Sequence, residues 1–320
     1  MPPAPLAAFL ASLRSAVLRD GPALILPPSL ARPDLAWVFG RVQRERQGRH
    51  GPAYLRTTRT LAARNWEDAP VEVTLLGQTV TARSGHDGEF EVAIPAPPGQ
   101  PFPAGPLQAR VSVPGASGVA VVRVVPPEAP FLLVSDLDDT LAHTHVTSLR
   151  AMLRTVFLLD ARTQPVVEGM AAFYRCLSAA QPAPPLAIVS GSPVQLTRRI
   201  RRFLARHGFP PASLYLRNLG PGTLSGYKEP VLARLAERFT QPFVLVGDSG
   251  EHDPEIFSAF SRAHPGRVLA AYVRRATALA EPAARYDGLV RFDDPAEAAR
   301  DAARRGLAPA DAVERAFPRR

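Results

Sequence analysis

The rhythm of hydrophobic and polar positions changes once along the chain, near Val125-Pro126-Pro127. Before that point short apolar-polar alternations are separated by Pro and Gly, the period of half-buried strands. They predict strands over Ala36 to Val42, Val71 to Leu76, Thr79 to Ala82, Glu89 to Ile94 and Gln108 to Val113. Ser84-Gly85-His86-Asp87-Gly88 reads as the turn entering one of them, and Pro95 to Pro106 as a loop. A small all-β, sandwich-like domain over residues 1–126 follows. Ahead of its strands, Met1 to Asp20 places Phe9, Leu10, Leu13 and Val17 on one face of a short amphipathic helix. Arg14 and Arg19 interrupt that segment where a secretory leader needs an apolar run, so a cytoplasmic protein is expected.

After Pro130 strands and helices alternate, as they do around a parallel sheet. Expected strands are Phe131 to Ser135, Leu186 to Ser190, Leu214 to Arg217, Phe243 to Gly247 and Val268 to Arg274. Between them lie helices over Glu168 to Ala180, Pro193 to His207, Glu229 to Phe239 and Pro254 to Ala263, with a polar, Ala-rich helix over Pro295 to Gly306. The expectation for 127–320 is an α/β domain with a Rossmann-like parallel sheet.

Composition changes this picture in two places. Cys176 is the single cysteine, which excludes an internal disulfide and a cysteine-based zinc cage. The net charge is +9, but the arginines are scattered rather than blocked, and no nucleic-acid partner is expected from them. Of the 38 lysine and arginine residues only Lys228 is lysine. A compact ammonium kept in an arginine-biased chain points to a tight anionic pocket that a guanidinium would not fit.

The candidate chemistry sits at strand ends. Ser135-Asp136-Leu137-Asp138-Asp139-Thr140 follows an apolar run, and the carboxyl ends of parallel strands are where ligands bind in open α/β sheets. Carboxylates gathered there repel one another unless a cation lies among them. Ile188-Val189-Ser190-Gly191-Ser192-Pro193 ends a second strand, and Pro193 suits the first position of a helix, where amides gather an anion. Gly247-Asp248-Ser249-Gly250-Glu251-His252-Asp253 ends a third. Asp253 reads either as an acidic partner of the cation or as a helix cap.

Asp-x-Asp-x-Thr, Ser, Lys and Gly-Asp-x-x-x-x-Asp in this order resemble the motif set of the haloacid dehalogenase-type phosphohydrolases. That resemblance implies a parallel sheet of that type with a minimal cap. It implies Asp136 as nucleophile, Asp138 as general acid and then base, Thr140 holding the turn, and Lys228 neutralising nucleophile and phosphate. Ser190, Gly191 and Ser192, with Lys228, would hold the phosphate, and Asp136, Asp138, Asp248 and Asp253 would hold Mg²⁺. The flanking residues, with His143-Thr144 and Pro254-Glu255, are similar to the actin-patch-protein class of Mg²⁺-dependent phosphatidate phosphatases. Gly191, Val194 and Glu251 stand where that class usually has Asn, Trp and Gln. These departures bear on recognition of the leaving group rather than on the phosphoryl chemistry.

The resemblance implies hydrolysis of phosphatidate to diacylglycerol through an aspartyl phosphate. Two alternatives stay open at this stage: a phosphatase for a soluble phosphomonoester or phosphoprotein, and a non-enzymatic Arg-rich binding protein. For a lipid phosphate, peripheral contact with an anionic membrane is expected. Arg198, Arg199, Arg201, Arg202 and Arg206 can make it, while the apolar stripe of Leu149, Met152, Leu153, Val156 and Phe157 either packs on the core or meets lipid. His143, His145 and His252 are expected in supporting rather than ligating positions.

Overall fold

Among the described residues the alternating first half builds one mixed sheet of nine strands, and the second half a parallel sheet of six. The computed structural model describes residues 19–47, 63–137, 166–217, 226–250, 252–276 and 282–318. The residues of the expected N-terminal apolar face, from Phe9 to Val17, lie outside these, as does the stripe from Leu149 to Phe157.

Strands β1 (Arg19–Ile25), β2 (Ser29–Ala31), β3 (Leu35–Gln47), β4 (Arg64–Asn65), β5 (Pro70–Leu75), β6 (Gln78–Arg83), β7 (Glu89–Pro95), β8 (Gly105–Val113) and β9 (Ala116–Val124) form the first sheet. Its order is β1-β3-β2-β9-β8-β5-β6, with β4 and β7 also paired to β3. Two separate sheets were expected of a sandwich, but the hydrogen bonding is continuous. The reason is β2, which pairs with β3 at Ala31–Ala36 and runs parallel to β9 from Ser29 to Ala31. The sheet folds over, so that Val38 of β3 and Val92 of β7 share a core with Val73 of β5, Val111 of β8 and Val122 of β9. Burial alternates along β5 and β7, as a sheet with one wet face requires. β5 stops before Leu76 because Leu76 and Gly77 both take positive φ in a two-residue hairpin turn.

The second sheet has the order β12-β11-β10-β13-β14-β15, every neighbouring pair parallel. Its strands are β10 (Leu132–Ser135), β11 (Leu186–Pro193), β12 (Ala212–Arg217), β13 (Phe243–Asp248), β14 (Val268–Arg274) and an unexpected sixth, β15 (Val290–Phe292). The two central strands are buried along their whole length, which is why they read as continuous apolar runs.

Helices α1 (Met170–Leu177), α2 (Thr197–Arg206), α3 (Lys228–Arg238), α4 (Asp253–Ala263), α5 (Pro295–Arg304) and α6 (Ala310–Ala316) cover both faces. Helices α1, α2, α5 and α6 pack on the side of Leu133 and Val246, and α3 and α4 on the side of Val134 and Leu245. No helix among the described residues is long and apolar enough to cross a membrane.

Leu30 and Trp37 of the first sheet belong to the same core cluster as α3 and α4. The Trp37 ring lies 5.9 Å from Phe239, with the Arg238 guanidinium 4.5 Å above it. Phe39 meets Tyr215 at 5.5 Å, and the Leu214 N–H donates to the Pro28 carbonyl at 2.8 Å. Gln241 donates to the carbonyls of Pro126 and Pro127, fixing the crossover between the sheets.

Candidate active site

Asp136 stands one residue beyond β10, and its N–H donates to the Val246 carbonyl at 2.9 Å. Backbone hydrogen bonding therefore sets the position of this carboxylate before any side-chain contact is made. Behind it, the Tyr174 hydroxyl lies 2.5 Å from Ser135 Oγ, and Ser135 Oγ donates to the Asp136 carbonyl. Full burial pushes the Tyr174 hydroxyl far above its ordinary range, so it remains a protonated donor.

Lys228 opens α3 and Asp253 opens α4, both from loops at the carboxyl edge of the sheet. The Lys228 ammonium lies 2.9 Å from Asp136 Oδ1 and also bonds Asp253 Oδ1. The other oxygen of Asp253 accepts from the Asp248 N–H at 3.3 Å. Asp253 therefore does not cap its helix through its side chain, which points inward at Lys228 and β13. Asp248 is the last residue of β13, and its Oδ1 accepts from the Gly250 N–H at 2.6 Å.

Gly247 makes this approach possible. A Cβ there would sit 2.4 Å from Asp253 Oδ2 and 2.8 Å from the Phe257 ring, so the site requires a residue without a side chain.

Asp136, Asp248 and Asp253 are all buried, and each offers an oxygen within 4.8 Å of the others. Among the described residues three carboxylates and one ammonium meet here, a surplus of negative charge in a place with little solvent. Such a surplus is costly unless a cation enters. An all-oxygen donor set suits a hard divalent ion, and the residues present fit one.

Ser190 and Ser192 lie at the same edge of the sheet, on β11, and both are buried. The Ser192 N–H donates to Ser190 Oγ at 3.0 Å. The expected helix start at Pro193 is not observed. β11 continues to Pro193, which pairs with Arg217 after a register shift; a 3₁₀ turn over Val194–Leu196 follows, and α2 begins only at Thr197. Pro193 has φ −59° and ψ 139°, an extended conformation that its ring allows as readily as a helical one. The two serines thus stand on a bulged strand end rather than at a helix N-terminus.

Asp138, Thr140, His143, His145 and Glu251 lie outside the described residues. Gly191 follows Ser190 on the bulge. Ser135, Tyr174 and Gly247 are the positions that motif reading passed over. Ser135 and Gly247 were quoted within their motifs, while Tyr174 acts through a contact distant in sequence.

Residues 131–275 match the family described as phosphatidate phosphatase APP1, catalytic domain. Over 155 residues the chain is 32% identical to phosphatidate phosphatase APP1 of Saccharomyces cerevisiae, covering 44% of this chain and 25% of that protein. It is 29% identical over 170 residues to an uncharacterized protein of Schizosaccharomyces pombe, covering 48% of this chain and 27% of the other. The matched part is thus about a quarter of each relative's length. A carbohydrate acetylesterase from Xanthomonas citri aligns with 79% of this chain and 60% of its own, at 13% identity and a TM-score of 0.34, from which nothing about this chain follows. The resemblance to the phosphatidate phosphatase class, read from the residues flanking the motifs, holds over 131–275.

Proposed function

We propose that the segment matched to the APP1 catalytic domain makes this chain a Mg²⁺-dependent phosphatidate phosphatase of the haloacid dehalogenase type. Its catalytic half spans 127–320, and residues 1–126 form a β-rich domain beside it. The observation that carries the reading is the buried cluster of Asp136, Lys228, Asp248 and Asp253 at the carboxyl edge of the parallel sheet, inside the matched segment.

In this reading an Asp136 oxygen attacks phosphorus, the bond to the ester oxygen breaks, and Asp138 gives the leaving alkoxide its proton. Water then attacks the aspartyl phosphate, Asp138 takes the water's proton, and the bond between phosphorus and the Asp136 oxygen breaks. Lys228 holds Asp136 in place and neutralises the phosphoryl oxygens, with Ser190, Gly191 and Ser192 lining their other side. Asp253 keeps the Lys228 ammonium over Asp136, and Thr140 steadies the turn that carries Asp138. Held by the carboxylates of Asp136, Asp248 and Asp253 and by the main-chain carbonyl of Asp138, Mg²⁺ would lower the charge on the transferring group.

Exposed arginines on α2 support a lipid substrate over a soluble one. Arg198, Arg201, Arg202 and Arg206 face solvent, and no carboxylate among the described residues pairs with them. They lie on the helix that follows the phosphate-binding serines, where an anionic surface would be drawn in. The test is release of phosphate from phosphatidate vesicles, lysophosphatidate, a phosphopeptide and soluble sugar phosphates, each with Mg²⁺ and with chelator. Phosphatidate is expected to be turned over at least about tenfold more efficiently than any soluble ester, a preference of about 1.4 kcal/mol. A soluble ester in first place would replace the lipid reading with its alternative. No turnover of any phosphomonoester would end the phosphatase reading.

A further inference from the structure

We infer that the first sheet supplies an oxyanion-binding residue, Arg41, on the face it turns to the α/β half, so that a phosphate group is held at the junction of the two halves. The phosphatase reading enters only in the choice of phosphate as the anion; the site itself stands on the following geometry.

Trp37, Phe39 and Arg41 share one face of β3, because side chains repeat every second residue along a strand. That face packs on the α/β half, through Trp37 against Phe239 and Phe39 against Tyr215. Strand β3 and helix α3 run in opposite senses there. Trp37 is level with Arg238 at the end of α3. Glu91, the register partner of Phe39, pairs with Arg234 and Arg238. Glu89, the register partner of Arg41, lies further toward the start of the helix, where its charge reaches Tyr227. Four residues of strand span about 13 Å, and the eleven residues of α3 about 16 Å. Arg41 is thereby carried toward the start of α3, on the face that β3 turns to the α/β half.

There Arg41 is 1% exposed, among the largest fully buried side chains of the protein. Among the described residues no acceptor meets its Nε or Nη2 in hydrogen-bonding geometry. Glu89 approaches Nη2 at 3.5 Å from a side chain that is 42% exposed, and Asp87 adds a second negative charge further off. A guanidinium that serves only structure normally fills its fork, since each buried donor left empty forfeits the hydrogen bond it had in water. Gln43, next along the same face, is also buried, and its Oε1 has no hydrogen-bond partner among the described residues. Rotation of that amide would turn its NH₂ toward the same place. Two adjacent buried polar groups with unfilled bonding capacity describe a receptor for an oxygen-rich anion. A phosphate matches the planar fork of arginine.

The test is calorimetric titration of the full chain with inorganic phosphate in the absence of divalent metal, when the surplus of carboxylates disfavours phosphate at the catalytic cluster. The wild type is expected to bind phosphate, and Arg41→Met to lose at least about tenfold in affinity while keeping or raising its melting temperature. Glu89→Gln removes a competing negative charge and is expected to tighten phosphate several-fold, a result that does not depend on the Met variant folding. Unchanged phosphate affinity in both variants would overturn the proposal, and so would a large drop in melting temperature of Arg41→Met with its phosphate affinity retained. The readout needs no turnover, so a chain inactive toward every ester still answers it. If the anion is the substrate's own phosphate, KM for phosphatidate rises about tenfold in Arg41→Met with kcat held. If it is free phosphate, KM stays and inhibition by inorganic phosphate weakens in that variant.

Discussion

Asp136→Asn is expected to lower turnover of phosphatidate, and of any accepted phosphomonoester, by roughly 10⁴-fold or more, about 5.4 kcal/mol in activation free energy. An amide keeps the size of the side chain and removes the nucleophilic oxygen. The variant should nonetheless fold at least as well as the wild type. Asp136 is one of three buried carboxylates facing one lysine, and Lys228 still has Asp253 when Asp136 is neutral. Loss of activity with an unchanged melting temperature therefore separates chemistry from structure. A variant retaining a tenth of wild-type turnover would assign the nucleophile elsewhere.

Lys228→Met is expected to damage both properties. Removing the ammonium takes from the buried Asp136 and Asp253 their ion pairs with Lys228, and breaking a buried ion pair in this way costs about 3–5 kcal/mol. Activity should fall by roughly 10²–10³-fold, the usual effect of deleting one preorganised electrostatic contact to the transferring group. Lys228→Arg should not restore it, because a planar fork does not fit between two carboxylates that approach a single nitrogen from different helices and strands. Thermal melts with increasing divalent cation provide the check. Since binding to the folded state alone stabilises it, the cation should raise the melting temperature of Lys228→Met more than that of the wild type. Equal increments in the two proteins would mean that lysine and metal do not share this cluster.

Much of the α/β half was legible because its central strands are buried on both faces and write themselves as short apolar runs. Leu132–Ser135 and Phe243–Asp248 were read to within a residue of their ends for that reason. Their carboxyl tips then located Asp136 and Asp248, and the chain's single lysine proved to sit 2.9 Å from the first of them. Pro193 misled because its fixed φ serves a strand end and a helix start equally well, and only the pairing with Arg217 decides between them. The continuity of the first sheet was illegible for another reason. It depends on the three residues of β2, whose partners Ala36 and Val122 are set by tertiary packing and leave no mark in local periodicity. Tyr174 and Arg41 were missed in the same way. One is an ordinary aromatic of an amphipathic helix and the other an arginine within a strand, and only the folded chain brings them to Ser135 and to Glu89.

The central claim is that Asp136 accepts the phosphoryl group. Mixing the protein with excess substrate and Mg²⁺, quenching in acid within the first turnover and mapping the modified peptide tests it most directly. The account predicts one phosphoryl group on the peptide containing Asp136, absent from Asp136→Asn and discharged by hydroxylamine as an acyl phosphate is. Turnover with no phosphorylated protein at any quench time, or with the phosphoryl group on another residue, would contradict it.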